Sequence, residues 1–536
     1  QAYCSQIQDA IRKNKHHDQR RSLFINFLRE GMGLDPVEFD LEKKIKAHTV
    51  TGRIDAFFKQ LIIEVKTDLK RERNDAEREL KKYFESQPHP NECVGLVTDG
   101  LDFEVYIYEN RSARQIRSFT LDPDAPLQCF RHLDQLFFTA KLLVPTPGDI
   151  VDRFGVYSAA YNATRRALSE GLENVLALPS VSVKLREWSA LLSKVYGSEV
   201  GDKTLFVTHT YLAMLSRAIV TLALYPRDKR TQSLYRGIVD GAYFKKKRLS
   251  NLAEPDFFAW ALDTDAEATL LDSIDRLFAC LDVYDFDKLD GDILKELYQG
   301  LVDPQSRHEL GEYYTPDWLA ELTLESIGYS GGRILDPACG SGSFLFAAAR
   351  RLRTTAGLKG RNLVKSVVEN VIGIDVHPVA VLMTKANLLL SLKEEVAAYP
   401  ENINLQVYMA DTLMTGEDRE QEVLTVPVSD EDEVFHIPFD TVERGAGTLD
   451  ALIDQLCLFA ERGASSPEKE KTAFEGLRKR LLTDGYGSSE IFYWQQNFRL
   501  LAKLEREQRN TVWAYILKNA YRPSYIRRDT VDYVVG

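Results

Sequence analysis

The chain has 536 residues, 44% of them apolar and 28% charged, with a formal net charge of −12. That length and apolar content imply three or four domains with substantial cores. Six scattered cysteines (Cys4, Cys93, Cys129, Cys280, Cys339, Cys457), without CxxC or Cys/His spacing, argue against a disulfide framework or a zinc site. The excess of acid does not exclude a polyanionic partner, because phosphate contacts come from local patches. Basic residues do cluster, at Arg12, Lys13, Lys15, Arg20 and Arg21, at Lys245 to Arg248, and at Arg522 to Arg528.

The first 145 residues alternate strand and helix patterns. A helical stretch ends near Glu30. Gly52-Arg53-Ile54-Asp55 then closes one short apolar segment, and Leu61-Ile62-Ile63-Glu64-Val65-Lys66 forms another. Together they spell D-x8-E-x-K across a hairpin. Alternation along a strand puts Glu64 and Lys66 on one face and turns Val65 into the core. Carboxylates on adjacent strands, here Asp55 and Glu64, suit Mg²⁺, a hard cation that prefers oxygen ligands. A lysine beside them can orient or help deprotonate a water attacking a phosphate.

These residues resemble the PD-(D/E)XK nuclease superfamily, in which a Q-x-x-x-Y helix often follows the lysine. Here Glu79 stands in place of the glutamine, four residues before Tyr83. The resemblance implies a nuclease fold over 1–145, with Asp55, Glu64 and Lys66 catalytic and Asp55 and Glu64 holding the metal.

Pro145-Thr146-Pro147-Gly148 is a natural boundary. From 149 to 305 the pattern is almost wholly helical: Tyr157 to Leu172, Val183 to Tyr196, Leu205 to Tyr225 and Ala266 to Cys280. The third stretch is long and apolar, but His209, Thr210, Ser216 and Arg217 interrupt it. A buried helix fits it better than a membrane span. No signal-peptide or lipidation pattern is visible, and the expected location is cytoplasmic.

The most specific segment follows. Ile334 to Phe344 reads ILDPACGSGSF: an apolar strand, a turn through Gly340, Ser341 and Gly342, then a helix-forming run. Glycines let the backbone approach a ligand, and the helix N-terminus offers free N–H groups. Two further strands end in acids, VIGID at Asp375 and VYMAD at Asp411. An acid after the second strand suits the hydroxyls of a nucleoside ribose. Upstream lies GEYYTP, Gly311 to Pro316.

In these motifs the chain resembles γ-class N6-adenine DNA methyltransferases of restriction–modification systems, strongly over Gly311 to Asp411. The resemblance implies a Rossmann-like domain that binds S-adenosylmethionine. Tyr313 and Thr315 would line the methionine side. Asp336, Ala338 and the backbone at Gly340 and Gly342 would lie near the methionine end. Asp375 would hold the ribose, and Asp411 the exocyclic amine of the cofactor's adenine. Phe344 is expected to pack the core.

After Asp411 comes an insertion, about 415–528. It opens with an acidic loop (Glu417 to Glu433) and continues with helices over Leu449 to Arg462, Thr472 to Leu482 and Phe492 to Asn519. Its aromatics, Tyr493, Trp494 and Trp513 among them, read as core. VDYVVG (Val531 to Gly536) then looks like the fourth strand of the domain begun at 306. The family's Asn-Pro-Pro-aromatic motif should follow that strand and does not occur in the sequence. The expectation is that the natural protein continues past Gly536 into that motif and a target-recognition domain.

No Walker A pattern occurs. A nuclease domain, a helical connector and a methyltransferase domain with a helical insertion, a multidomain α/β plus α architecture, look like the type IIG or IIL enzymes. The function so implied is Mg-dependent cleavage of double-stranded DNA together with N6-adenine methylation. Two alternatives stay open: an anti-phage defence methyltransferase with a degenerate nuclease-like domain, and a non-catalytic DNA-binding scaffold.

Overall fold

The computed structural model describes residues 2–536 apart from 14–16, 32–38, 48–49, 59–60, 88–89, 91–92, 110, 123–131, 134–142, 197–201, 254–255, 290–292, 296, 298–314, 397, 413–422, 429–432, 511 and 527–529. Over 2, 17, 31, 39–47, 50–58, 194–196 and 251 it describes the backbone alone. The chain divides into two compact units. One comprises Gln1–Asp149, Thr221–Arg236 and Leu271–Asp290; the other comprises Ile150–Val220, Gly237–Leu270 and Gly291–Gly536.

The first unit is built on a six-stranded sheet in sequential order: β1 (Phe39–Ala47), β2 (Val50–Phe58), β3 (Leu61–Val65), β4 (Val94–Thr98), β5 (Asp102–Glu109) and β6 (Ser112–Thr120). β3 and β4 are parallel and the other neighbours antiparallel. A parallel pair needs a crossover, which the third helix, α3 (Leu69–Glu85), supplies. Asp68 starts it by accepting the N–H groups of Lys70 and Arg71. α1 (Ala2–Arg12) and α2 (His17–Asn26) cover the opposite face. Ile63 and Val65 pack there with Ile7, Phe24 and Leu28, while Ile62 packs with Leu80 and Phe84 of α3. β3 is therefore buried on both sides, which explains its apolar run Leu61-Ile62-Ile63 and Val65, interrupted by Glu64.

A buried ionic cluster binds the two later segments into this unit. The Asp282 carboxylate takes Arg117 Nε at 3.0 Å, Arg230 Nη1 at 2.6 Å and His132 Nδ1 at 2.5 Å. Burial alone would raise the Asp282 pKa, but Arg117 and Arg230 outweigh it and hold the carboxyl well below its usual range. Burial pushes Arg117 down to about 10.

The second unit opens with helices α4 (Pro147–Phe154, its first three residues in the other unit), α5 (Ala159–Val175), α6 (Pro179–Tyr196) and α7 (Lys203–Leu224). α7 is long and apolar enough to cross a membrane by length and composition, but it is almost wholly buried inside the protein. His209, Thr210, Ser216 and Arg217, the polar residues that interrupt it, are buried as well. Arg217 pairs with Asp256 at 2.7 Å, which is how a charge is tolerated in a core.

The four-stranded sheet of this unit is wholly parallel. Its strands are β7 (Ile334–Asp336), β8 (Val371–Asp375), β9 (Gln406–Met409) and β12 (Tyr533–Val534), in the order β12-β7-β8-β9. VDYVVG is thus a sheet strand, returned beside the first one. α8 (Asp317–Ser326), α9 (Ser343–Thr354), α10 (Gly360–Asn370) and α11 (Pro378–Ser391) accompany these strands.

The insertion differs from expectation in two places. Part of the stretch 417–433, expected as an acidic loop, forms β10 (Val423–Pro427), paired with β11 (Val434–Pro438). The β-branched Val423, Thr425 and Val426 favour a strand and were masked by their acidic flanks. The helix expected over Phe492 to Asn519 is two, α14 (Ser488–Arg506) and α15 (Trp513–Ala520), following α12 (Ala446–Gly463) and α13 (Pro467–Thr483). The break falls where Gln508 takes a φ of +57° and Arg509 N–H closes onto Leu504 O at 2.7 Å, a left-handed helix ending. Trp494 and Trp513 are fully buried, as core residues should be.

Candidate functional site

The strand order creates the first site. From β7 the chain runs outward to β8 and β9, then returns to β12 on the other side of β7. The crevice of such a sheet opens where the order reverses, at the carboxyl ends of the strands. Asp336 ends β7 there, and Val535 N–H reaches Leu335 O at 2.9 Å from the strand beside it.

The loop 337–342 fills this point and is fixed from three sides. Cys339 N–H donates to Ile374 O at 2.9 Å, and Gly342 N–H to Cys339 O at 2.8 Å. Gly340 N–H donates to Asp375 Oδ2 at 2.8 Å, while the other oxygen of Asp375 takes His377 N–H, also at 2.8 Å. From α11, Thr384 Oγ1 donates to Gly340 O at 2.7 Å and Asn387 Nδ2 to Ser341 O at 3.2 Å. Gly342 has φ +91°, and a Cβ there would lie 2.8 Å from Thr384 Cγ2. Glycine is required at this position for both reasons.

Other ends converge. Ala410 N–H donates to Asp375 O at 2.9 Å, and Thr412 Oγ1 to Pro337 O at 3.2 Å. Asp411, between them, is exposed. Lys295 is nearly buried and donates to Thr315 O at 2.7 Å, Asp317 Oδ1 at 2.6 Å and Ser343 Oγ at 3.0 Å. It ties the Thr315 segment to the first turn of α9. Tyr313 lies outside the described residues. Phe344 and Cys339 are buried, and burial holds the Cys339 thiol far above its ordinary pKa, as befits a packing residue.

Asp336 is the electrostatic feature of the pocket. It is 2% exposed, and burial, reinforced by the nearby Asp375 charge, pushes its carboxyl up to about 7 despite the Ala338 N–H it accepts at 3.2 Å. Such a group gains when a cation approaches it.

Sequence reasoning identified Thr315, Asp336, Ala338, Gly340, Gly342, Asp375 and Asp411, and the structure gathers the strand-end and loop residues among them at one end of the sheet. It did not identify Lys295, Thr384 or Asn387. These carry no local motif; Thr384 and Asn387 are, with Lys385, polar residues on a helix that is buried from Pro378 to Leu390.

The other constellation lies in the first unit. β2 and β3 pair with Ala56 opposite Ile63, so Asp55 and Glu64 are the next residues at the adjoining register step. The Asp55 side chain lies outside the described residues. Glu64 and Lys66 are both buried, with Lys66 Nζ 2.7 Å from Glu64 Oε1 and also paired with Glu79 of α3. Burial opposes the lysine's charge, but Glu64 and then Glu79 outweigh it, so the Lys66 pKa is raised. Burial likewise raises and the Lys66 contact lowers the Glu79 pKa, with a net lowering. Glu79, which departs from the family's glutamine, is thereby brought into direct contact with the lysine, and Tyr83, one turn on, is buried. Among the described residues no three His, Cys, Asp or Glu side chains form a group able to hold a metal; Asp55 is not among them.

Residues 289–430 match the family described as N-6 DNA Methylase. The chain is 36% identical over 80 residues to the type I restriction enzyme MjaIX methylase subunit of Methanocaldococcus jannaschii, covering 15% of this chain and 13% of that protein. It is 31% identical over 111 residues to the adenine-specific methyltransferase PglX of Streptomyces coelicolor, covering 18% of this chain and 9% of that one. Among solved structures, the DrdV–DNA complex aligns with 78% of this chain and 40% of its own, at 15% identity and a TM-score of 0.36. The segment 289–430 thus matches the N-6 DNA Methylase family, and the chain spans only a small part of the length of either relative.

Proposed function

We propose that the chain is a bifunctional restriction–modification protein of the type IIG or IIL layout. In this reading a γ-class N6-adenine DNA methyltransferase follows an N-terminal PD-(D/E)XK nuclease and a helical connector, and both act on double-stranded DNA. The observation that carries it is the loop 337–342 at the sheet's switch point, held by Asp375 through the Gly340 amide.

The donor set suits S-adenosylmethionine. When bound, that cofactor supplies an electrophilic methyl group on a sulfonium centre. Its amino and sulfonium cations would relieve the buried Asp336 carboxyl and draw it into the ionised form. Asp375, at the carboxyl end of β8, would accept the ribose hydroxyls, as an acid at the end of the second strand does in a dinucleotide fold. Asp411 would accept from the adenine amine. Tyr313, Thr315, Ala338, Gly340 and Gly342 would line the methionine end, with Lys295 and Thr384 holding their backbone in place.

In the nuclease half, Asp55 and Glu64 offer the hard oxygen donors that Mg²⁺ requires. Bound there, the ion would polarise a phosphate. Because its carboxylate neighbours raise its pKa, Lys66 keeps its proton at neutral pH and would act as a fixed positive charge toward phosphate, not as a base. A second reading draws on the same ion pair: with Glu64 and Glu79 both on Lys66, the nuclease-like domain would be degenerate and the protein a defence methyltransferase.

Calorimetry with S-adenosylmethionine tests the first half: binding that Asp375→Ala weakens supports it, and no binding by the wild type sinks it. Cleavage of unmethylated phage DNA by full-length Asp55→Ala or Lys66→Ala protein tests the second. Unchanged cleavage would remove the nuclease assignment, and no cleavage by the wild type would favour the degenerate reading.

A further inference from the structure

His209 lies on α7, 1% exposed, and among the described residues neither ring nitrogen has a hydrogen-bond partner. A neutral imidazole carries one N–H and one lone pair, so two polar groups are buried unmade. Burial holds the ring far below its ordinary pKa, with His377 adding to the effect, which keeps it uncharged. The surroundings are aromatic: Trp188 at 5.3 Å between centroids, Phe258 at 6.4 Å and His377 at 4.9 Å, all edge-on. Among the described residues Trp188 Nε1, also buried, has no partner either. A phenylalanine would fill such a place without the desolvation cost, since replacing unsatisfied polar groups by apolar ones of like shape is neutral or stabilising.

What distinguishes the place is the second histidine. His377 caps α11, accepting Ala380 N–H at Nδ1 across 3.3 Å. An accepting Nδ1 leaves the proton of a neutral ring on Nε2. Its backbone N–H is the one that Asp375 Oδ1 accepts, and Asp375 Oδ2 holds the loop at Gly340. A short path of contacts therefore runs from α7, through the two imidazoles, to the carboxylate at the end of β8.

We propose that His209 is a positioning residue for the cofactor pocket: it supports His377 and, through the His377 backbone, sets the Asp375 carboxylate and the Gly340 loop. This rests on the reading of the pocket as an S-adenosylmethionine site. Such a residue costs stability and is kept for geometry.

The test uses the full chain carrying His209→Phe or His209→Gln. The phenylalanine variant should melt at or above the wild-type temperature while its S-adenosylmethionine Kd rises by up to about tenfold, the scale of the edge-on ring pair that His209 makes with His377. The glutamine variant, which removes the ring, should lose at least as much affinity. In cofactor-free protein, amide hydrogen exchange at Gly340 and His377 should quicken in the phenylalanine variant. Unchanged exchange and affinity, or a melting temperature and affinity that fall together in both variants, would overturn the proposal. Should the wild type bind no S-adenosylmethionine, the pocket reading fails, and exchange at Gly340 and His377 still decides whether His209 orders the loop.

Discussion

Gly342→Ala is the sharpest probe of the loop. The wild-type φ of +91° lies in the left-handed region, and the new Cβ would sit 2.8 Å from Thr384 Cγ2 and 3.1 Å from Thr384 Oγ1. The dihedral penalty for a residue with a Cβ is about 1–2 kcal/mol. Pushing Thr384 aside also sacrifices its 2.7 Å hydrogen bond to Gly340 O, worth about 0.5–1.5 kcal/mol. The sum is about 1.5–3.5 kcal/mol at the loop, or about 10- to 400-fold in Kd if all of it is felt on cofactor binding. Gly357→Ala is the control: its φ is +69° with nothing within 4 Å, so it pays the dihedral term alone and lies off the pocket. Calorimetry with S-adenosylmethionine and thermal unfolding on both variants, and on Gly342→Ala with Thr384→Ala, separate the terms. The double variant should lose less than the two single losses combined, because the clash is gone. If Gly342→Ala melts and binds no worse than Gly357→Ala, the packing of Thr384 against the loop is not what shapes the pocket.

The Asp336 carboxyl, raised to about 7 when folded against 3.8 unfolded, contributes stability that is full below the unfolded value and lost as pH rises through 7. Wild-type melting temperature should therefore fall between about pH 4 and 7 through this group, and Asp336→Asn should abolish that component; an identical pH profile in the variant would refute the assignment. Asp282→Asn leaves Arg117 and Arg230 buried around a neutral amide and should destabilise the first unit by about 3–5 kcal/mol in denaturant unfolding, while S-adenosylmethionine binding persists. A loss near zero would show that the cluster does not hold that unit together. Lys295→Met removes the contacts to Thr315, Asp317 and Ser343 and should weaken S-adenosylmethionine binding about tenfold, measured by calorimetry; unchanged affinity would reduce Lys295 to a packing tie without a part in the pocket.

Local chemistry was legible wherever it produced a pattern of neighbours along the chain. ILDPACGSGSF announces a strand, a tight turn and a helix because Gly340 and Gly342 have positive φ angles that other residues resist. Glu64 and Lys66 share a face because strands alternate, and Val65 is buried on the other. The buried helix Lys203–Leu224 showed itself by length and hydropathy. What failed locally was the boundary where one signal overlay another: Val423–Pro427 was lost beneath acidic flanks, and the break near Gln508 has no glycine or proline to mark it.

The partners of these groups were decided only in three dimensions. That Glu79 meets Lys66, that Arg117 and Arg230 share Asp282, and that Lys295, Thr384 and Asn387 brace one loop depend on elements far apart in the chain. A hydrogen bond across such separations leaves no periodicity to read. The sequence by itself determined which segments form strands, turns and helices, because backbone dihedrals and side-chain alternation are local properties. The tertiary structure decided the strand order that sets β12 beside β7 and opens the crevice at Asp336, and with it the burial that lifts that carboxyl to about 7. Burial and electrostatic environment are properties of the packed molecule, and no stretch of residues carries them alone.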